Sequence, residues 1–213
     1  EVNNASICLG TPATLTPTSA LPGSVFFWYF DANKTQPILN GTTSGVTYAV
    51  NSTTGVLTVT GLTVASSPVS YYVAVTSNNT CQNKAGELKA ATVIVNDPPT
   101  PTSTNNPQNF CLINAPTVAN LQANEANVVW YLAASGGTAL DPTTALVNGT
   151  IYHGAIKDLL GCESSVRSQI TVNVNDPGTP TLVTAGTQNF CLVNAPTFAS
   201  VQFNESNIVW YTD

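Results

Sequence analysis

Five cysteines carry the most specific chemistry in this chain of 213 residues. There is no Cys-x-x-Cys pair and only one histidine, so a zinc site with four ligands would need cysteines from distant segments. The cysteines recur with a repeated sequence pattern, which is typical of disulfides in small domains of an oxidising compartment. We expect the bridges Cys8–Cys81 and Cys111–Cys162, one within each of two repeats. We expect the partner of Cys191 to lie beyond the chain.

Catalysis is not expected. His153 is the only imidazole, and it follows Tyr152 in a predicted strand, where we interpret it as a residue of the outward face or the rim. The serines and threonines therefore lack a histidine base that recurs with the repeats. Glu163 is predicted in a turn beside Cys162 and has no acidic partner close in sequence, so a glycosidase carboxylate pair is not indicated. We predict no catalytic residue and no enzyme.

Two aspartates are the weak candidates for a metal. Asp97 and Asp176 recur at equivalent junctions between repeats, where oxygen ligands for calcium would stiffen the chain. One carboxylate at each junction falls short of the six to eight oxygens that calcium takes, and an aspartate before proline also favours a simple turn. We expect no cofactor, and calcium at the junctions stays an open alternative.

An internal repeat organises the chain. The segment 108–131 returns as 188–211 with a period of 80, and 17 of 24 positions are identical. A more distant copy begins near Cys8. The predicted domains are a first, divergent repeat at residues 1–97, a second repeat at 98–176, and the start of a third at 177–213.

Each repeat is expected to be an all-β, immunoglobulin-like sandwich. Short apolar stretches rich in β-branched and aromatic residues, such as 24–30, 46–50, 56–60 and 69–76, are separated by Gly, Asn, Pro and Ser, and no helical period is sustained. A Trp-Tyr pair closes one strand in each repeat, and alternate residues of a strand face opposite sides. We therefore predict tryptophans in the core, and tyrosines on the opposite face that are candidate ligand-facing residues or, as the favoured alternative, pack against neighbouring strands. They are Trp28, Trp130 and Trp210, followed by Tyr29, Tyr131 and Tyr211.

Charge and hydropathy exclude two classes of partner. The formal net charge is −6, with five basic residues, so the footprint needed for nucleic-acid binding is missing. No apolar run approaches the roughly 20 residues that span a bilayer as a helix, so we expect no membrane insertion. The proline-rich linkers that follow the exit strands, NDPPTP and NDPGTP, are predicted to be short and stiff.

The second repeat resembles a known family. Its CLINAPT, ASGGTAL, NGTIY and GCESSVR motifs are similar to those of immunoglobulin-like repeats in giant surface proteins of Bacteroidota, of which the gliding-motility adhesins are the best-known examples. The resemblance implies export by the type IX route, display on the outer bacterial surface, and a stalk or adhesive role. The implied partners are neighbouring repeats and surface glycans or other cell-surface components. Two alternatives stay open: a carbohydrate-binding module of a secreted enzyme, and a subunit of a self-assembling extracellular fibre.

Overall fold

The structure is a computed structural model that describes residues 1–78, 81–183 and 186–211, and its regular elements are almost all β-strands. The first repeat forms eight strands: β1 (Ala5–Cys8), β2 (Ala13–Leu15), β3 (Val25–Tyr29), β4 (Gly41–Thr43), β5 (Val46–Val50), β6 (Leu57–Thr60), β7 (Val69–Thr76) and β8 (Lys89–Asn96). The second forms four: β9 (Gln108–Cys111), β10 (Val128–Tyr131), β11 (Ile151–Ile156) and β12 (Ser168–Asn175). Short 3-10 helices at Val64–Ser66, Leu112–Asn114, Val118–Asn120, Leu192–Asn194 and Phe198–Ser200 complete the elements.

Two facing sheets build the first repeat into an immunoglobulin-like sandwich. One sheet has the order β1-β8-β7-β3 and the other the order β2-β6-β5-β4. Alternation makes the core: Ala91, Val93 and Val95 of β8 are buried, and the residues between them are more exposed. The indole of Trp28 lies in this core, and its Nε1 donates to the Gly55 carbonyl at 2.7 Å, which satisfies its polar atom.

The second repeat has one regular sheet, with the order β10-β11-β12-β9. Opposite it, the described chain forms the 3-10 helix Val118–Asn120 and an isolated bridge between Thr117 and Ala145 in place of a second ladder. The core between these two layers consists of Val118, Leu121, Trp130, Leu146, Tyr152, Ile170 and Val172.

The entry strand of each repeat pairs in parallel with the exit strand of the same repeat. β1 runs beside β8, with Cys8 opposite Asn96, and β9 runs beside β12, with Cys111 opposite Asn175. The first cysteine of each repeat therefore lies at the end of the sandwich where the chain leaves for the next repeat.

The third repeat begins as the second does. Gln188 Nε2 donates to the Gln202 carbonyl at 2.8 Å and Gln202 N donates to Gln188 Oε1 at 3.0 Å, which copies the bonds between Gln108 and Gln122. Trp210 is 43 % exposed, because the described part of this repeat does not enclose it.

His153 is a buried residue of β11. It is 8 % exposed although it faces away from the core that holds Tyr152, and it pairs across the sheet with Tyr131. The prediction of the outward face agrees with its direction in the pleat, and the residue is nevertheless buried there. Side chains and loops cover that face of the sheet as well.

Gly154 is the position in β11 where a larger residue should disturb the second core. A Cβ atom there would lie 2.8 Å from the ring of Trp130 and 3.0 Å from Val128, closer than a relaxed contact allows. We expect Gly154→Ala to lower the free energy of unfolding by about 1–3 kcal/mol, as overpacking does. In a Trp130→Leu background the same change should cost less, because the smaller side chain leaves room. Urea unfolding of the four proteins measures both costs, and equal costs would contradict the packing argument.

Candidate functional site: the joint between the first two repeats

A disulfide joins the two sandwiches. Cys8 at the end of β1 bonds to Cys162 in the β11–β12 hairpin, with a Cα–Cα distance of 5.1 Å and a sequence separation of 154 residues. The bridge lies beside the linker, since Cys8 pairs with Asn96, the residue that precedes Asp97. The two repeats are therefore joined by two covalent connections, the disulfide and the linker of the main chain.

Both disulfides predicted within repeats are therefore wrong in this structure: Cys8 is not bonded to Cys81, and Cys111 is not bonded to Cys162. The reason is geometric. Cys81 lies in the hairpin before β8, whereas Cys8 lies beside the last residue of β8, and a strand of eight residues separates its ends by roughly 23 Å. Disulfide Cα atoms lie only about 4–7 Å apart. The same strand geometry separates Cys111 from Cys162.

The sequence predicts the places of the four cysteines in the first two repeats, Cys8 and Cys111 at entry strands and Cys81 and Cys162 at the last hairpin, but the partner that it assigns to Cys8 lies in the wrong repeat. Pairing within a repeat and pairing with the next repeat give the same periodic pattern. The parallel pairing of entry and exit strands distinguishes them, and no short motif reports it. Cys81, Cys111 and Cys191 are exposed free thiols.

The linker between the repeats is packed onto the hairpin that carries Cys162. Asp97 Oδ1 accepts from Ser165 N at 2.9 Å, and its Oδ2 accepts from Ser165 Oγ at 2.8 Å. Ser164 Oγ donates to the Pro99 carbonyl at 2.6 Å, and Pro101 is fully buried. The stiff linker that the prolines predict is thus also fastened by hydrogen bonds that cross the joint.

The carboxylate suggested as a calcium ligand has a structural role here, since both oxygens of Asp97 are bonded to Ser165. At the second junction, Asp176 Oδ1 accepts from Gly178 N at 3.0 Å, a bond within the linker. Within the described residues, no group of three His, Cys, Asp or Glu side chains is close enough to hold a metal ion.

Tyr131 holds the cysteine-bearing hairpin in place. Its hydroxyl donates to Glu163, and the Arg167 guanidinium lies 3.3 Å from the centroid of its ring. Arg167 Nη1 also donates to the carbonyls of Ala133 and Gly136 at 2.9 and 2.8 Å. Burial, followed by the Glu163 carboxylate, raises the pKa of Tyr131 to about 12.

The three predicted ligand-facing tyrosines lie in different surroundings. Tyr131 is only 4 % exposed, so its interpretation as ligand-facing is wrong. Tyr29 is partly buried, and its hydroxyl accepts from Gln82 Nε2 at 3.2 Å, so it braces the first repeat's hairpin as Tyr131 braces the second. Tyr211 is 86 % exposed. Of the tryptophans, Trp28 and Trp130 are buried in their cores.

A carboxylate also fastens the end of the linker to the second repeat. Thr102 donates to Glu125 from its backbone N at 2.7 Å and from its Oγ1 at 2.8 Å. These bonds hold the pKa of Glu125 below its ordinary value, because they stabilise the ionised carboxylate. From the sequence, the recurrence of Glu125 as Glu205 suggests a further oxygen ligand for calcium, and the hydrogen bonds to Thr102 were not predicted.

Comparison with known proteins identifies the kind of domain. Residues 98–175 match a family of immunoglobulin-like domains described as "Ig-like domain CHU_C associated". Solved structures that the chain partly resembles include titin A168–A169 (13 % identity, 83 % of this chain and 96 % of that one, TM-score 0.32). The tandem IG1+IG2 of DIP-gamma is another (11 % identity, 82 % and 95 %, TM-score 0.36), as is the Ig1-2 module of the Drosophila receptor tyrosine phosphatase DLAR (12 %, 82 % and 96 %, 0.32).

No curated protein matches the chain. None of the helices formed by the described residues is long and apolar enough to cross a bilayer. The second repeat is an immunoglobulin-like domain, and the chain as a whole has an immunoglobulin-like, nearly all-β fold.

Counting thiols tests the bridge. The oxidised, denatured chain should show three reactive thiols, those of Cys81, Cys111 and Cys191. Cys8→Ser should raise the count to four by releasing Cys162, whereas the control Cys111→Ser should lower it to two. Alkylation followed by mass spectrometry gives the number and the positions. One free thiol in the wild-type protein, that of Cys191, would indicate the pairing within repeats instead.

Acid titration tests the contribution of the hydrogen bonds between Thr102 and Glu125 to stability. A carboxylate whose pKa is lowered by folding adds stability above its unfolded pKa, and this contribution is lost as the pH falls through the folded pKa. We expect Glu125→Gln to lose less stability than the wild type between about pH 6 and about pH 3, measured by urea unfolding. Thr102→Val removes the hydrogen bond from Oγ1 and keeps the one from the backbone N, so it should flatten the same pH dependence in part. An unchanged pH dependence in Glu125→Gln would refute the stabilising role of this carboxylate.

Proposed function

We propose that this chain is a load-bearing stalk segment of tandem immunoglobulin-like repeats in a long, secreted bacterial surface adhesin. The observation that carries the proposal is the joint. A disulfide between repeats, two hydrogen bonds from Ser165 to Asp97, and a buried proline hold two sandwiches together where a flexible linker would let them swing.

The position of the bridge suits a chain under tension. A force applied to the two ends reaches Cys8 and passes through the disulfide to Cys162, so the 154 residues between them carry no load. This loop contains β2 to β8 and β9 to β11, which is nearly the whole of both repeats. The strands from β2 to β11 therefore bear no load and cannot be pulled apart, whereas β1 and β12 lie outside the loop and transmit the force.

The extracellular location that we propose is supported by other features. The family match of residues 98–175 and the disulfide support an extracellular domain, because disulfides persist in oxidising compartments. The resemblance of the second repeat's motifs to Bacteroidota surface repeats supports export by the type IX route and a role in surface attachment or gliding. In this proposal the partners are neighbouring repeats, with surface glycans as targets of the adhesin.

A carbohydrate-binding module is the weaker candidate. Such a module needs an exposed aromatic platform, and Tyr131 is buried beneath Arg167. Tyr211 is exposed in the third repeat, but the corresponding tyrosines of the first two repeats brace hairpins. The recurring Trp-Tyr pair therefore supports a structural role in each repeat.

Single-molecule stretching tests the load-bearing role. Pulled from its ends under oxidising conditions, the chain should extend about 500 Å less than under reducing conditions, because 154 residues stay locked at about 3.3–3.6 Å each. Cys8→Ser should extend fully in both conditions. The matched control Cys81→Ser, which removes a free thiol, should behave as the wild type. Equal extension of the wild type with and without reductant would contradict the proposal.

A further inference from the structure

We propose that the disulfide register at this joint continues along the array: the entry cysteine of each repeat bonds to the hairpin cysteine of the next. Cys111 then bonds to a hairpin cysteine of the third repeat, and Cys81 bonds to the entry cysteine of a repeat that precedes the first. The inference rests on the proposed stalk function and specifies how successive repeats are linked.

Cys111 occupies the position of Cys8. Each is the last residue of an entry strand that runs parallel to the exit strand, and each lies opposite its last asparagine, Asn96 or Asn175. Cys8 thereby lies beside the linker into the second repeat, and Cys111 lies beside the linker into the third. Cys111 is an exposed thiol.

Cys81 occupies the position of Cys162. Trp28 pairs with Val73 and Trp130 pairs with Gly154, and each hairpin cysteine follows that strand residue by eight positions. Like Cys111, Cys81 is an exposed thiol.

The two hairpins share their supporting contacts as well. Gln82 contacts the Tyr29 hydroxyl just as Glu163 contacts that of Tyr131. The residue that follows in each hairpin accepts from the preceding strand: Asn83 Oδ1 accepts from Val75 N at 2.7 Å, and Ser164 Oγ accepts from Ile156 N at 2.9 Å. The two cysteines are therefore equivalent in three dimensions and not only in sequence order.

The chain enters the third repeat by the route that it takes into the second. Thr181 donates to Glu205 from its N at 2.8 Å and its Oγ1 at 2.7 Å, which reproduces the two bonds between Thr102 and Glu125. Asn204 Nδ2 also donates to Thr181 Oγ1 at 2.9 Å, as Asn124 does to Thr102 at 2.8 Å. In the proposed register, the third repeat therefore presents its hairpin to the exit end of the second, where Cys111 lies, as the second repeat presents Cys162 to Cys8.

The two linker aspartates differ in their hydrogen-bond partners. Asp97 receives both of its bonds from Ser165, three residues after Cys162. Asp176 has the equivalent place and accepts a bond from Gly178 in its own linker. In the proposed register, a hairpin that brings a cysteine to Cys111 also brings a hydrogen-bond donor to Asp176.

The consequence is an overlapping series of covalent loops. The loop closed by Cys8 and Cys162 and the loop opened at Cys111 share residues 111–162, so every sandwich between bridged joints lies inside a loop. Each bridge forms when two thiols lose two protons and two electrons to a protein disulfide oxidant, which is reduced to its dithiol.

Disulfide mapping of the native full-length protein tests the register. The protein is alkylated, digested without reduction and analysed by mass spectrometry, with the peptide pair of Cys8 and Cys162 as the internal reference. We expect Cys111 in a peptide joined to a third-repeat cysteine about 80 residues beyond Cys162, the period of the repeat. In full-length Cys111→Ser, that one third-repeat thiol should become alkylated, whereas Cys8→Ser should release only Cys162.

Three results would overturn the inference: an alkylated Cys111 in the wild type, Cys111 joined to Cys81 of another copy, or Cys111 joined to Cys191. None of them affects the stretching result for the first joint, which depends on Cys8 and Cys162. Loss of the difference between oxidised and reduced extension, with Cys111 still bridged to the third repeat, would instead refute the load-bearing role of the first joint and leave the register standing.

Discussion

The parallel pairing of the entry strand with the exit strand is the constraint on which the rest of this structure depends. It places Cys8 beside Asn96, where the chain leaves the first sandwich, and the hairpin cysteine of the same sandwich lies a full strand length away. A bridge within the repeat is then out of reach. The hairpin of the next repeat lies within reach, because the short linker brings its Cys162 to the same end.

The joint combines restraints of different strength. The disulfide limits the separation of the sandwiches, but a single bridge beside a single chain crossing would still permit hinge motion about the line between them. The bonds of Asp97 to Ser165 and of Ser164 to Pro99, with Pro101 buried, restrain that motion. Reduction should therefore remove the protection against force while part of the restraint on orientation remains.

Much of the fold was predictable from periodicity. The apolar stretches at 46–50 and 69–76 coincide with β5 and β7, and the exit strands follow the alternation of their valines. The second layer of the second repeat was less predictable, because 3-10 turns and a single bridge carry no period. Tyr131 was misread since alternation reports the face of a sheet but not what covers it, and Arg167 covers it from a loop.

The wrong disulfides have a cause that lies in the repetition itself. In a repeated chain, a residue that recurs once in each repeat has two equally spaced partners, one in its own repeat and one in the next. Cys8 and Asp97 both recur in this way, and both contact the hairpin of the next repeat. Topology decides between the two partners: a residue at the exit end of a sandwich can reach only what the linker brings there. Residues of this array that recur near a linker are therefore better assigned first to the joint, and only then to the interior of their own repeat.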